Sequence, residues 1–203
     1  MDNITECANN FKNLLNTNYR FIISQSRTQK ELKLDFRNID FYHLAGLQHL
    51  SDLALPRNKK TILEEIILNP NLSDQKLSKS RHYRKKGVNI EKRISELRFV
   101  DRYLDTDNLI RIFTNRSSKG RDLSGGSFIA ADYVIESTLK ERGETIYAFL
   151  KERKYEEGIY RLNSFFVKET RSYSGDSVYW MLKQKNKGGV VTELYRHPNY
   201  TKP

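Results

Sequence analysis

The chain contains one cysteine, Cys7, among 203 residues. A lone cysteine excludes an internal disulfide and a cysteine-based zinc site, which predicts a reducing, cytoplasmic setting. The spacing of the four histidines is also not that of metal ligands, because none of them forms a close pair such as HExxH. We therefore expect no metal ion and no cofactor. The histidines are His43, His49, His82 and His197.

Long apolar runs are absent as well: none approaches the roughly 20 residues that a membrane span needs. The first ten residues, MDNITECANN, carry neither a basic start nor an apolar segment. Acidic residues are in deficit, with 25 against 36 lysines and arginines, so the formal net charge is +11. This excess favours a polyanionic partner, and without membrane signals it favours nucleic acid. A basic surface that only keeps the protein soluble is the alternative.

The hydrophobic pattern changes in character after Asp105 and predicts an α+β fold. Before it, helical spacing alternates with one strand pair that reads as a hairpin, and after it short aromatic segments predict an antiparallel sheet. Helices are predicted at 4–16, 41–53, 57–68 and 88–105, with a short one from Ser73. Strands are predicted at 19–25 and 30–36 for the hairpin, and at 109–114, 128–137, 145–152, 159–167 and 177–185 for the sheet.

This pattern predicts one domain over residues 1–187, with N-terminal helices packed on a C-terminal antiparallel β-sheet. Its helical part is 1–105 and its sheet part is 106–187. A basic glycine- and serine-rich loop is expected at 115–127, and a short polar tail at 188–203.

The stretch FYHLAGLQHLSDL, residues 41–53, places His43 beside a leucine-rich helix face. A histidine there can fill a core or can transfer a proton, because its unperturbed pKa lies near 6.5. A glycine inside a helix costs roughly 1 kcal/mol relative to alanine. Gly46 therefore indicates that a neighbouring element approaches closely.

The segment KLSKSRHYRKKG, residues 76–87, is strongly basic and contains no acidic residue. Lys79, Ser80 and Arg81 offer charge-assisted bonds to phosphate oxygens, and Tyr83 offers a ring for base stacking. A solvated basic surface explains the same composition.

The strand RLNSFF, residues 161–166, is expected to place Arg161, Asn163 and Phe165 on one face. Its other face would then hold Leu162, Ser164 and Phe166. Ser164 is either a polar group in a pocket or a small filler, and no GxSxG elbow surrounds it.

Two tyrosines are further candidates for contact with nucleic acid. Tyr133 in AADYV and Tyr173 in RSYSGDSVYW lie near basic residues and can position a phosphate or stack a base. Packing in strands is the competing explanation for both.

Taken together, these motifs resemble the phage-associated nuclease-like families of the barnase–EndoU–colicin–RelE superfamily, within it the group with a histidine-leucine-alanine-glycine-leucine motif. The resemblance rests on KLDFRNIDFYHLAGLQHLSDL (33–53), LSKSRHY (77–83), FIAADYVI (128–135) and LNSFFV (162–167) followed by Tyr173. These segments occur in the family's order and span about residues 8–187. The long basic loop at 115–127 departs from the pattern.

The resemblance implies an α+β nuclease fold and metal-independent RNA cleavage of a toxin-like, phage or mobile-element protein. It makes His43 the motif histidine, Lys79 and Ser80 the lysine–serine pair, and Ser164 the strand serine. Substrate contacts are expected from Tyr83, Arg81, Tyr133, Arg161 and Tyr173.

The expected partners are RNA (tRNA or mRNA) and an inhibitor or antitoxin protein, with no membrane. The main alternative is a binding module without catalysis, such as an inhibitor of host defence, and a structural phage protein is a third. Convergence of the motif residues on one cleft favours cleavage, whereas scatter favours binding.

Overall fold

The structure is a computed structural model that describes residues 2–26, 28–56, 58–86, 89–113, 129–169, 173 and 175–201. It confirms the α+β fold: short helices pack against one curled sheet. The helices are α1 Asn3–Leu14, α2 Asn38–Leu44, α3 Ile62–Leu68, α4 Asp74–Leu77, α5 Ile90–Leu97 and α6 Val100–Asp105, with a 3₁₀ helix at Leu47–His49. The strands are β1 Thr17–Gln25, β2 Thr28–Asp35, β3 Leu109–Phe113, β4 Tyr133–Leu139, β5 Glu144–Glu152, β6 Ile159–Val167, β7 Gly175–Ser177, β8 Tyr179–Lys187 and β9 Val190–Arg196.

The nine described strands form one sheet in the order β7-β3-β4-β5-β6-β2-β1-β8-β9. Every neighbouring pair is antiparallel except β2 and β6, which run parallel and pair only at Lys33–Ile159 and Leu34–Tyr160. This short junction joins two antiparallel groups of strands. Beyond Tyr160, β6 has no described pairing with β2, and helices α2 and α5 contact β6 instead.

The hairpin β1–β2 belongs to this sheet, so the division into helical and sheet parts does not follow the chain. The segment expected as a polar tail supplies β9, which pairs with β8. The predicted basic loop at 115–127 lies outside the described residues. No helix in the described part of the chain is both long and apolar enough to cross a membrane.

Two predicted helices are broken. The helix predicted at 41–53 begins earlier, at Asn38, because the Asp40 carboxylate accepts a hydrogen bond from the Arg37 N–H at 3.0 Å. It ends before Gly46, whose φ of +77° leaves the helical region. The helix predicted at 88–105 is divided into α5 and α6 at Phe99, whose φ of −111° and ψ of 18° depart from helical values.

A buried ion pair fixes α2 to the sheet. The Arg153 side chain, 8% exposed, donates to Asp40 Oδ2 at 2.6 Å and to Asp35 Oδ1 at 2.5 Å. Asp40 lies in the first turn of α2 and Asp35 ends β2, so one guanidinium holds both at the β2–β6 junction. This contact positions the following turn of α2 against β6.

Candidate active site

His43 lies in the last turn of α2, half-buried, with its Nε2 3.1 Å from the Nζ of Lys59. Burial lowers the pKa of His43, and the positive charges of Lys59 and Arg161 lower it further, against an opposing effect of Asp40. The imidazole is therefore neutral at pH 7 and can accept a proton. Lys59 lies in a turn before α3 and belongs to none of the sequence motifs, so no motif pointed to it.

Gly46 permits the close approach that the sequence predicted. A Cβ on Gly46 would lie 2.6 Å from Ile90 Cδ1 and 3.0 Å from Arg93 Nη1. The approaching element is thus α5. With φ at +77°, the position also disfavours any residue with a side chain. The HLAGL motif therefore comprises the end of α2, which carries His43, and a turn at Gly46 against which α5 packs.

Arg93 of α5 lies where several motif segments meet. Its side chain is 3% exposed, and its guanidinium carbon stacks 4.4 Å from the ring centroid of Phe166 on β6. Burial lowers the pKa of Arg93, against an opposing effect of the nearby Tyr173. Burial also lowers the pKa of His49, and the charge of Arg93 lowers it further. The turn, the end of β6 and Tyr173 therefore surround one arginine. Arg93 shares the helical stripe of Ile90 and Leu97, which is the signal that could have identified it.

A bulge in β6 changes the predicted faces of the strand. Phe149 pairs with Ser164 but the next residue, Leu150, pairs with Leu162, so Asn163 is an extra residue. Arg161 consequently lies on the same face as Ser164 and not opposite to it. The predicted alternation was wrong because the bulge shifts its phase by one residue.

The basic segment 76–87 continues after α4 as a loop, and Asp52 holds it beside the turn at Gly46. Ser80, 5% exposed, donates its hydroxyl to Asp52 Oδ1 at 2.6 Å, and the Arg81 N–H donates to Asp52 Oδ2 at 3.0 Å. The charge of His82 contributes to the lowered pKa of His49. The loop thus borders the candidate site, but the Ser80 hydroxyl is engaged in holding the loop. Lys79 is exposed on it.

The tyrosines take packing positions. Tyr83 is 3% exposed and donates to Asp74 Oδ1 at 3.3 Å, while Tyr133 is 6% exposed and packs 5.8 Å from the Tyr160 ring. Base stacking does not fit the burial of Tyr83 or Tyr133. Tyr173 packs edge-on against the ring of Phe149 at 4.9 Å on the opposite face of the sheet from the main core.

The described residues hold no group of three or more histidine, cysteine or acidic side chains that could bind a metal. The cationic side chains around the turn suit an anion instead, because they combine positive charge with hydrogen-bond donors. Lys59 lies 3.1 Å from His43, and the charges of Lys59 and Arg161 both act on its imidazole.

The α+β fold brings a histidine with a lowered pKa beside cationic side chains, an arrangement that suits the binding of an anionic group. The family model described as phage-Barnase-EndoU-ColicinE5/D-RelE like nuclease 4 matches residues 3–199, and the chain belongs to this family. The resemblance stated from the motifs is thereby confirmed, and it extends over β9. No curated protein and no solved structure matches the chain.

Proposed function

We propose that this nuclease-family protein is a metal-independent endoribonuclease. The observation that carries the proposal is the half-buried His43 imidazole, 3.1 Å from Lys59 Nζ and held neutral by burial and by adjacent cations. A neutral imidazole is the form that removes a proton, and cations beside it are suited to stabilise phosphate charge.

In this mechanism His43 takes the proton of the RNA 2′-hydroxyl. The 2′-oxygen then forms a bond to phosphorus while the bond to the 5′-oxygen breaks, and the 5′-oxygen leaves with a proton from solvent. Lys59 and Arg161 bind the phosphate oxygens as their negative charge grows. The products are a 2′,3′-cyclic phosphate and a 5′-hydroxyl. Ser164 is expected to position the phosphate from the same strand face as Arg161.

One observation favours the alternative of RNA binding without cleavage. Of the four residues proposed as catalytic, Ser80 is engaged with Asp52, and Lys79 lies exposed on the same loop. Their loop would then contribute phosphate binding at the border of the site.

Incubation of the protein with a defined RNA in EDTA distinguishes the two functions. Cleavage predicts fragments that end in a 2′,3′-cyclic phosphate, and the same oligonucleotide with 2′-deoxyribose should remain intact because it has no nucleophile. Binding without cleavage predicts intact RNA that shifts in a gel. Fragments from the deoxyribose substrate, or cleavage that EDTA abolishes, would overturn the proposed mechanism.

The pH dependence of cleavage should show the effect of Lys59 on His43. Because the pKa of His43 is lowered in the folded protein, kcat/KM should rise with pH and level off with an apparent pKa below 6.5. Lys59→Met removes one of the charges that lower this pKa, so the apparent pKa should move upward toward 6.5 while kcat/KM falls. Lys60→Met, at the neighbouring exposed position, is the matched control. An unchanged pH profile of kcat/KM in Lys59→Met would show that the titrating group in the reaction is not His43.

A further inference from the structure

Arg93 is a buried cation without a counter-ion among the described residues. The residue is 3% exposed, and its Nε and Nη2 atoms have no hydrogen-bond partner in the described part of the chain. No described carboxylate lies within ion-pair distance of its guanidinium. The comparison with Arg153 is direct, since that arginine is similarly buried and is bonded to two carboxylates.

Such an arrangement is costly for folding, because a buried charge without a partner loses hydration and gains little in return. Burial lowers the pKa of Arg93 to about 10, so the group is still charged at pH 7. Replacement by an apolar residue of similar size would remove this cost. The presence of an uncompensated charge at this buried position indicates that it acts on something outside the resting protein.

The surroundings of Arg93 indicate where an anion would bind. Its Nη1 atom lies close to Gly46, so that a Cβ on this glycine would be only 3.0 Å from it. Its guanidinium group lies over the Phe166 ring. The same turn carries His43 three residues earlier, and His49, whose pKa Arg93 lowers, three residues later. The buried Oε1 of Gln48, within this turn, also accepts no hydrogen bond from any residue that the structure describes. The turn thus combines an uncompensated cation with an unpaired polar side chain.

We propose that Arg93 is the anion-receiving residue of the site and that an RNA phosphate at the Gly46 turn is its counter-ion. This rests on the proposed function for the identity of the anion. A phosphodiester supplies the negative charge that no described residue brings to Arg93, and the guanidinium provides the planar set of donors that phosphate oxygens prefer. Because no carboxylate of the described residues pairs with Arg93, its donors are open to the substrate.

The proposal makes stability and binding move in opposite directions in Arg93→Met. Without ligand, the variant should melt at a temperature about 2–4 °C higher, because the uncompensated charge is gone. Its affinity for an oligonucleotide with 2′-O-methyl ribose, which cannot be cleaved, should fall by about tenfold to a hundredfold. The same oligonucleotide should raise the melting temperature of the wild type more than that of the variant.

Two variants serve as controls. Arg196→Met removes an equal charge from the exposed Arg196–Glu193 pair of β9, and it should change neither the melting temperature nor the affinity appreciably. Arg93→Lys retains the charge and should keep part of the affinity but lose the planar donors. NMR titration of His49 gives an independent measure, since its pKa should rise in Arg93→Met.

The outcomes separate the two proposals. Equal affinity of Arg93→Met and wild type for the uncleavable RNA would overturn the role of Arg93, whatever the cleavage assay shows. A lower melting temperature together with unchanged affinity would do the same and would make Arg93 a packing residue. Reduced affinity in a protein that never cleaves RNA would support Arg93 and overturn the endoribonuclease mechanism.

Discussion

His43→Gln is expected to give a folded protein that cleaves RNA about 10²–10⁴-fold more slowly than the wild type in EDTA. Glutamine retains much of the size and hydrogen-bonding capacity of histidine but cannot take up the proton of the 2′-hydroxyl. The half-exposed position of His43 beside Lys59 predicts little loss of stability. Cleavage rates and thermal unfolding should be measured on the same preparation.

His197→Gln is the matched control for this experiment, because His197 lies just after β9 and outside the candidate site. It should retain wild-type cleavage. A core role for His43 predicts the reverse result, a less stable protein with its activity per folded molecule preserved. Full activity in a stable His43→Gln protein would remove His43 from the mechanism.

Arg153→Met is expected to have the largest effect on stability, a loss of about 3–5 kcal/mol in the free energy of unfolding. The substitution leaves the buried carboxylate of Asp40 without its cation, and the ionised group cannot be hydrated there. At roughly 2–4 °C per kcal/mol for a chain of this size, the melting temperature should fall by about 6–20 °C. Thermal and urea unfolding measure this change.

Arg102→Met supplies the comparison, because it breaks the exposed pair between Arg102 and Glu141 and should cost about 1 kcal/mol or less. Adding Asp40→Asn to Arg153→Met should recover part of the loss, since the uncompensated charge is then removed. A loss in Arg153→Met no greater than that in Arg102→Met would show that the buried pair does not hold α2 to the sheet.

Periodicity was sufficient to predict the α+β class and most strands, including 159–167 with its observed bounds. It could not predict that β1 and β2 join the same sheet, because pairing between β2 and β6 connects residues more than a hundred positions apart. It also could not show the bulge at Asn163, which alternation alone does not encode. Chain order of helices and strands therefore gave the fold class but not the strand order.

For the candidate site, the sequence identified the turn and its glycine but not all of its partners. Gly46 predicted a close neighbour, and α5 fills that place. Lys59 was missed because it fell within the helix predicted at 57–68, which the structure begins only at Ile62, and a single polar lysine there has no distinguishing local pattern. Arg93 was missed although it lies on the same helical face as Ile90 and Leu97, since an arginine on a helix is ordinarily expected to be exposed. Distances between segments, rather than motifs, reveal these two residues.

The parallel β2–β6 junction also affects synthesis of the protein. The half-sheet of β2, β1, β8 and β9 combines the first strands of the chain with the last, since β1 pairs with β8 from Thr17–Lys187 to Ser24–Tyr179. A ribosome that has made His43, Arg93 and Arg161 has already supplied β2, one neighbour of β1, but not yet β8, the other neighbour. The nascent chain then exposes an open strand edge on β1 until β8 has been made. Chains that are terminated before β8 should accordingly lack nuclease activity.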